Sequence, residues 1–140
     1  MRLRATWKAF ILAGALVAPC LAFSAESGAI TPYQTDAGIA YVSGGVGADE
    51  REAMHGLARN YNLRLVFAGK EGAYLSDVKV DIRNAAGREI LSAVSNGPWF
   101  FAQLPNGRYK IKAEAKGKST SQSAVIGRER RTELKFYWAD

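Results

Sequence analysis

One stretch of the chain, residues 77–117, constrains the fold more than any other part of the sequence. Apolar residues take every second position at Val78, Val80 and Ile82, and the same alternation returns further along around Ile111. This spacing is typical of strands that bury one face. The segments between the strands are Asn-Ala-Ala-Gly, Asn-Gly-Pro and Pro-Asn-Gly, which are compositions that favour tight turns. The stretch therefore predicts a series of antiparallel strands in a mainly β domain.

The aromatic and turn residues of this stretch follow a distinctive order. After a Val-x-Val-x-Ile-x-Asn-x-x-Gly run come Asn96, Gly97, Trp99, Phe101, Leu104, Pro105, Gly107, Tyr109 and Ile111. This order resembles carboxypeptidase regulatory-like domains, over roughly the segment from residue 63 to the end of the chain. The resemblance implies a transthyretin-like (Ig-like) antiparallel β-sandwich, which we expect to have about seven strands. It implies no particular activity, because such sandwiches host many unrelated roles.

The resemblance also predicts which side chains form the core. It places Trp99 and Phe101 on the inward face of their strand and leaves Phe100 on the outward face. Together with the alternating strands, it predicts burial at Val80, Ile82, Trp99, Phe101, Tyr109, Ile111 and Phe136.

The first 22 residues have the organisation of a secretory signal peptide. A basic segment with Arg2, Arg4 and Lys8 precedes a short apolar run that ends at Pro19. This run is shorter than the ~20 residues that a membrane-spanning helix needs. The sequence therefore predicts cleavage, no transmembrane span, and a periplasmic or secreted bacterial protein. Cys20 lies where a lipoprotein signal has its acylated cysteine, but Pro19 replaces the small residue that such a signal prefers, so simple cleavage is favoured over lipidation.

Removal of this segment changes the charge of the chain. Three of the 19 Lys and Arg residues lie in it, which leaves 16 against 13 Asp and Glu, a net charge of +3 instead of +6. This modest charge and the expected export both argue against nucleic acid as a partner.

The rest of the chain is predicted to be one domain preceded by an arm. Residues 23–38 are polar and small and predict a flexible N-terminal arm. Residues 39–140 have the length of a single domain. Within that domain, residues 49–60 predict one short helix that has Met54 and Leu57 on its apolar face.

The start of this helix allows two interpretations. Glycines at positions 44, 45 and 47 precede it, and a glycine-rich loop before a helix is able to bind phosphate. The spacing matches neither a P-loop nor a dinucleotide-binding motif, and Asp49, Glu50 and Glu52 would repel an anion. Asp49 and Glu52 instead have the spacing of a capping box, which is the favoured interpretation.

Few residues of the chain are suited to catalysis. The sequence contains no HExxH, GxSxG or CxxC motif, and His55 is its one histidine. We therefore predict no catalytic residues, no metal site and no cofactor. The favoured function is a non-catalytic module that binds or positions another component of the cell envelope. The alternative is an uncharacterised hydrolase on a transthyretin-like fold.

Five residues are candidates for contact with a ligand or partner. Arg108, Lys110 and Lys112 alternate with apolar residues and so point outward from one strand. They are either solubilising charge or a surface for an anionic polymer or an envelope protein. Phe100 and Tyr137 are aromatic residues that would stack on a carbohydrate if they are exposed. For Phe100 the alternative is burial beneath the helix.

Overall fold

In a computed structural model, which describes residues 30–128 and 130–139, the chain forms nine strands, one α-helix and one 3₁₀ turn. The elements are β1 (Tyr33–Gln34), β2 (Ala40–Gly44), α1 (Ala48–Leu57), the 3₁₀ turn (Ala58–Asn60), β3 (Leu63–Gly69), β4 (Val78–Asn84), β5 (Glu89–Ser95), β6 (Trp99–Gln103), β7 (Gly107–Ala115), β8 (Lys118–Ile126) and β9 (Thr132–Trp138). The three predicted turn segments connect β4 to β5, β5 to β6 and β6 to β7. The fold is therefore mainly β with one short helix, as predicted, although it has nine strands rather than about seven.

The strands form two sheets that make a sandwich. The five-stranded sheet has the order β1-β2-β6-β3-β9, and the four-stranded sheet has the order β5-β4-β7-β8. Neighbouring strands are antiparallel except β3 and β9, which pair in parallel from Leu63 opposite Thr132 to Gly69 opposite Trp138. Parallel neighbours need a long connection, and the connection from β3 to β9 contains the five strands between them.

The main core lies between the two sheets. Alternate residues of β4 and β7 point into it, among them Val80, Ile82 and Ile111, which are fully buried. Tyr109 joins them from β7, and Phe136 closes the core from β9 in the facing sheet. These five positions confirm the alternation predicted from the sequence.

A second, smaller core lies on the other side of the five-stranded sheet. There α1 and the 3₁₀ turn cover the outward face of the sheet, and Met54 and Tyr61 pack with Val42 and Phe101. Leu57 is partly buried against the same cluster. The predicted apolar face of the helix is thus confirmed, and β6 is covered on both of its faces.

The orientation of β6 is the reverse of the predicted one. Phe100 points into the main core and is 0% exposed, whereas Trp99 and Phe101 point towards α1. The prediction that Trp99 and Phe101 lie inward, with Phe100 outward or beneath the helix, is therefore wrong, although the predicted burial of Phe101 is confirmed. Because β6 is covered on both faces, its three consecutive aromatic residues contain no alternation that would identify the inward face.

Glycines let β2 approach the turn that precedes β6. A Cβ on Gly97 would overlap the backbone carbonyl of Gly44, and a Cβ on Gly45 would lie 3.3 Å from the ring of Trp99. The helix begins after Gly47, and among the described residues no side chain caps its first turn. The glycine-rich loop therefore serves close packing, and the predicted capping box is wrong.

The sheet begins before the domain boundary that was predicted at residue 39. β1 pairs with β2 so that Tyr33 lies opposite Tyr41, and Ile30 packs against the cluster beneath α1. Part of the segment expected to be a flexible arm thus belongs to the five-stranded sheet. The predicted signal peptide and Cys20 lie outside the described residues. In the described part of the chain, no helix is both long enough and apolar enough to cross a membrane.

Candidate functional site

The five residues predicted to contact a ligand lie in three separate parts of the molecule. Phe100 is in the main core. Arg108, Lys110 and Lys112 project from β7 on the outward face of the four-stranded sheet. Tyr137 projects from β9 on the outward face of the five-stranded sheet. Because the sandwich separates the last two groups, they cannot contact one small ligand together.

Phe100 is not available to a ligand. Its ring stacks on the ring of Tyr41, with ring centres 5.4 Å apart, and Tyr41 stacks in turn on Tyr33 at 5.6 Å. This aromatic column leads from the exposed edge strand into the core. The role of Phe100 is therefore packing, and its prediction as an exposed stacking residue is wrong.

The basic residues of β7 are exposed, as predicted, but their surroundings carry charges of both signs. Lys112 lies opposite Asp81 of β4, and Lys110 lies opposite Arg83. Directly opposed side chains of neighbouring strands lie on the same face. Arg83 in turn contacts the carboxylate of Glu89 at 3.4 Å. The outward face of the four-stranded sheet is thus a surface of mixed charge and not a uniformly basic one.

Tyr137 belongs to a row of three residues on the outward face of the five-stranded sheet. It lies opposite Ala68 in the parallel pair of β9 and β3, and Tyr74 lies opposite Ala68 on the other side. Ala68 is buried, whereas Tyr137 is 53% and Tyr74 58% exposed. Neighbouring strands are ~4.8 Å apart, so the two tyrosines project from backbones about 10 Å apart. We call these three residues, with Val66 and Lys135 of the adjacent row, the tyrosine face.

Tyr74 is held in place although it lies outside the named strands. The Leu75 amide donates a hydrogen bond to the Phe67 carbonyl at 3.1 Å, and the Gly69 amide donates one to the Ala73 carbonyl at 2.7 Å. This short segment continues the sheet beside β3. Sequence reasoning missed Tyr74 because it follows a turn and lies in no alternating run, so no pattern indicates which face of the sheet its ring lies on.

One side of the tyrosine face meets the aromatic residues beneath α1. The guanidinium of Arg64 lies 4.9 Å from the ring centre of Phe101 and 3.8 Å from the carboxylate of Glu133. The ring of His55 packs edge-on against Trp99, with centres 4.9 Å apart. These contacts cover the rings next to α1, so the open aromatic surface of this sheet is provided by the tyrosine face.

A groove opens at the other end of β9. It has a volume of about 610 Å³ and is lined by four arginines, Arg59 from the 3₁₀ turn and Arg128, Arg130 and Arg131 from the loop between β8 and β9. Within residues 30–128 and 130–139, no ion pair involves any of these four side chains. We call this feature the arginine groove.

Hydrogen bonds fix the backbone around the arginine groove. The side-chain amide of Asn62 donates to the Leu104 carbonyl at 2.7 Å, and its oxygen accepts from the Leu104 amide at 2.8 Å. The Thr132 amide donates to the Asn62 carbonyl at 2.8 Å, and the Thr132 hydroxyl donates to the Val125 carbonyl at 3.1 Å. The sequence displays the Arg-Glu-Arg-Arg run of this loop. It does not reveal that the 3₁₀ turn lies next to this loop, because their closeness depends on the parallel pairing of β3 with β9.

Two buried tyrosines have altered ionisation. Burial raises the pKa of Tyr61, which lines the arginine groove, and that of Tyr109, because the ionised form loses its contact with water. Tyr109 also donates a hydrogen bond to the Pro105 carbonyl at 2.6 Å. Both hydroxyls are therefore neutral at physiological pH. Within the described residues, no group of three or more His, Cys, Asp or Glu side chains is placed to hold a metal ion.

Comparison of the sequence with protein-family models gave no match, and a search of curated proteins gave no match either. The resemblance to carboxypeptidase regulatory-like domains therefore stays a prediction from the residues around Trp99.

Proposed function

We propose that the protein is a non-catalytic binding module of the bacterial cell envelope and that it holds a carbohydrate on the tyrosine face. The observation that carries this proposal is the pair of exposed rings, Tyr74 and Tyr137, on either side of Ala68. An aromatic ring offers a flat apolar surface on which the C–H face of a sugar packs. A tyrosine hydroxyl adds a hydrogen-bonding group at the edge of that surface.

The spacing of the tyrosines suits a chain of linked sugars better than a single sugar. The two side chains start from segments on either side of β3, about 10 Å apart, and the short side chain of Ala68 does not project between them. Linked sugar rings are therefore able to lie on both tyrosines at once. Lys135, two residues before Tyr137 on the same face of β9, supplies a hydrogen-bond donor beside them.

The proposed location rests on the sequence of residues 1–22, whose basic and apolar segments have the order of a secretory signal peptide. Export would bring the module to the compartment in which envelope polysaccharides lie. The intact mass of the protein recovered from the envelope fraction tests this part of the proposal. We expect a chain that lacks residues 1–22, and a mass that retains them, or a lipid adduct on Cys20, contradicts simple cleavage.

Binding of the purified protein to an array of soluble oligosaccharides, followed by calorimetric titration of those retained, tests the proposed ligand class. The variants are Tyr74→Ala, Tyr137→Ala and their combination. An aromatic stacking contact is worth about 0.5–1.5 kcal/mol, so each single variant should weaken binding by about two- to tenfold. The double variant should lose most of the measurable affinity.

Tyr33→Ala is the matched control, because Tyr33 is also exposed, at 49%, but lies on β1 and stacks on Tyr41. This variant should bind like the wild-type protein. The proposal is overturned if Tyr33→Ala weakens binding as much as Tyr137→Ala does. It is also overturned if the double variant binds every retained oligosaccharide unchanged, or if the array retains none.

A further inference from the structure

The arginine groove gathers positive charge without counter-ions in the part of the chain that the structure describes. Its four arginines come from two elements, the 3₁₀ turn and the loop before β9, and none of them has an ion-pair partner there. Like charges that share one groove repel each other. The hydrogen bond from the Thr132 amide to the Asn62 carbonyl nevertheless joins the residues that follow these two elements. An anionic ligand would relieve this repulsion.

The chemistry of arginine narrows the class of anion. The planar guanidinium binds carboxylate groups through two parallel hydrogen bonds, which makes arginine better suited to them than lysine. The groove, at about 610 Å³, falls in the size range of ligand sites. It is open to solvent and not an enclosed cavity, so it is able to admit a segment of a longer chain.

The outward face of β9 connects the arginine groove with the tyrosine face. A small hollow of about 140 Å³, lined by Arg131, Arg64 and Glu133, adjoins the groove at the start of this route. The six steps along the strand from Arg131 to Tyr137 cover about 20 Å at ~3.3 Å per residue. The Glu133 carboxylate lies on the route, but it contacts Arg64 at 3.8 Å and Lys135 at 3.9 Å. The route therefore carries more positive than negative side chains, with Arg131, Arg64 and Lys135 against Glu133.

We infer that the carbohydrate held on the tyrosine face is an acidic polysaccharide, whose carboxylate groups bind in the arginine groove. This inference rests on the proposed function and adds the chemical class of the ligand. The tyrosines contact the faces of sugar rings at one end of β9, and the arginines contact carboxylates at the other end. An acidic peptide would also satisfy the arginines, but it would leave Tyr74 and Tyr137 unused, which is why the glycan is favoured.

The test compares one oligosaccharide in two charge states. An oligogalacturonate long enough to span the route, and the same oligomer with its carboxyl groups methyl-esterified, are titrated into the mature protein by calorimetry. The charged form should bind about tenfold or more tightly than the ester at low salt, and this advantage should shrink as salt is added. In the variant Arg128→Gln/Arg131→Gln the advantage should fall to about threefold or less, because the charged oligomer loses more affinity than its ester does.

The matched control is Lys110→Gln/Lys112→Gln, which removes the same charge from the four-stranded sheet and should keep the full advantage. If this control loses the advantage and the arginine variant keeps it, the acidic ligand binds on β7 and the inference is wrong. Equal binding of both oligomers by the wild-type protein, or binding of neither, also overturns it. If the wild-type protein binds both oligomers equally and Tyr74→Ala/Tyr137→Ala weakens that binding, the inference fails but the proposed function survives.

An aspartate-rich peptide provides the remaining arm of the experiment. We expect it to bind more weakly than the oligogalacturonate and to be unaffected by Tyr74→Ala/Tyr137→Ala. If the peptide binds as tightly as the oligomer, and the tyrosine variant retains full affinity for the oligomer, the groove takes an acidic peptide. That result overturns both the inference and the role of the tyrosine face.

Discussion

Neighbouring aromatic residues in β6 contribute to different cores, so they differ in what they do for stability. Phe100 is enclosed between the sheets and stacks on Tyr41. Trp99 lies at the rim of the smaller core, where it is partly buried against the cluster beneath α1 and in edge contact with His55. The larger side chain is therefore the less completely buried of the two.

The first prediction compares truncation of these two side chains. Phe100→Ala should lower the free energy of unfolding by about 3–5 kcal/mol, because it removes a fully buried ring and leaves a cavity in the main core. Trp99→Ala should cost about half of that or less, because part of its surface is already in water. Urea denaturation followed by circular dichroism measures both values. If Trp99→Ala is the more damaging change, β6 has the orientation that the sequence predicted.

The sequence predicts whether a single side chain is buried or exposed where one face of its strand is in contact with water. Val80 and Ile111 were correctly placed in the core, and the exposure of Lys110 between buried neighbours follows from the same alternation. Phe100 could not be placed, because both faces of β6 are covered and every residue of its aromatic run is apolar. Tyr74 could not be found either, because it follows a turn in no alternating run, and Tyr137, the other exposed ring beside Ala68, comes from a strand about seventy residues further along the chain.

At the scale of elements, two glycines differ in the space around them, so one position tolerates a larger side chain and the other does not. Gly56 lies in α1, with open space where a Cβ would be. Gly97 lies in the turn before β6, where a Cβ would meet the backbone of Gly44 in β2. The first glycine is a weakness of the helix, whereas the second is required by the approach of two segments.

The second prediction is therefore a pair of opposite effects. Gly56→Ala should stabilise the protein by about 0.5–1 kcal/mol, because alanine favours the helical backbone that glycine disfavours. Gly97→Ala should destabilise it by about 1–3 kcal/mol or more, because the added methyl group forces β2 away from the turn. Thermal unfolding of both variants beside the wild type gives the two signs. A neutral Gly97→Ala would mean that β2 does not pack against this turn.

The elements themselves were predictable to the extent that they are local. The helix at residues 48–57 and the strands of residues 78–115 follow from apolar spacing and turn composition within each segment. The parallel pairing of β9 with β3 was not predictable, because its partners are about seventy residues apart and no local pattern encodes a crossover. The arginine groove depends on that pairing, which is why the sequence revealed its arginines but not the site.

At the scale of the whole molecule, two buried tyrosines report on the two cores. Tyr109 contributes to the main core between the sheets, and Tyr61 contributes to the smaller core beneath α1. Burial raises the pKa of both hydroxyls above the ordinary tyrosine value of 10.0. The two cores lie on opposite faces of the same five-stranded sheet, so a chain of this size is expected to unfold in a single cooperative step. The ionisation of either tyrosine therefore affects the stability of the whole protein.

The third prediction is that stability falls as the pH rises above about 10. Below that pH both hydroxyls keep their protons in the folded and in the unfolded state, so they do not contribute to the pH dependence of the free energy of unfolding. Above it the unfolded chain releases tyrosine protons that the folded chain retains, so the unfolded state binds fewer protons and the free energy of unfolding decreases. The variant Tyr61→Phe/Tyr109→Phe lacks both groups, so its unfolding free energy should decline less steeply between pH 9 and 11, a range spanning about one unit on each side of the ordinary value.

Tyr109→Phe should also be about 0.5–1.5 kcal/mol less stable than the wild type at pH 8, because the hydrogen bond to Pro105 is lost. Denaturant titrations at each pH measure both effects, and the same alkaline slope in wild type and double variant would show that neither hydroxyl is withheld from water.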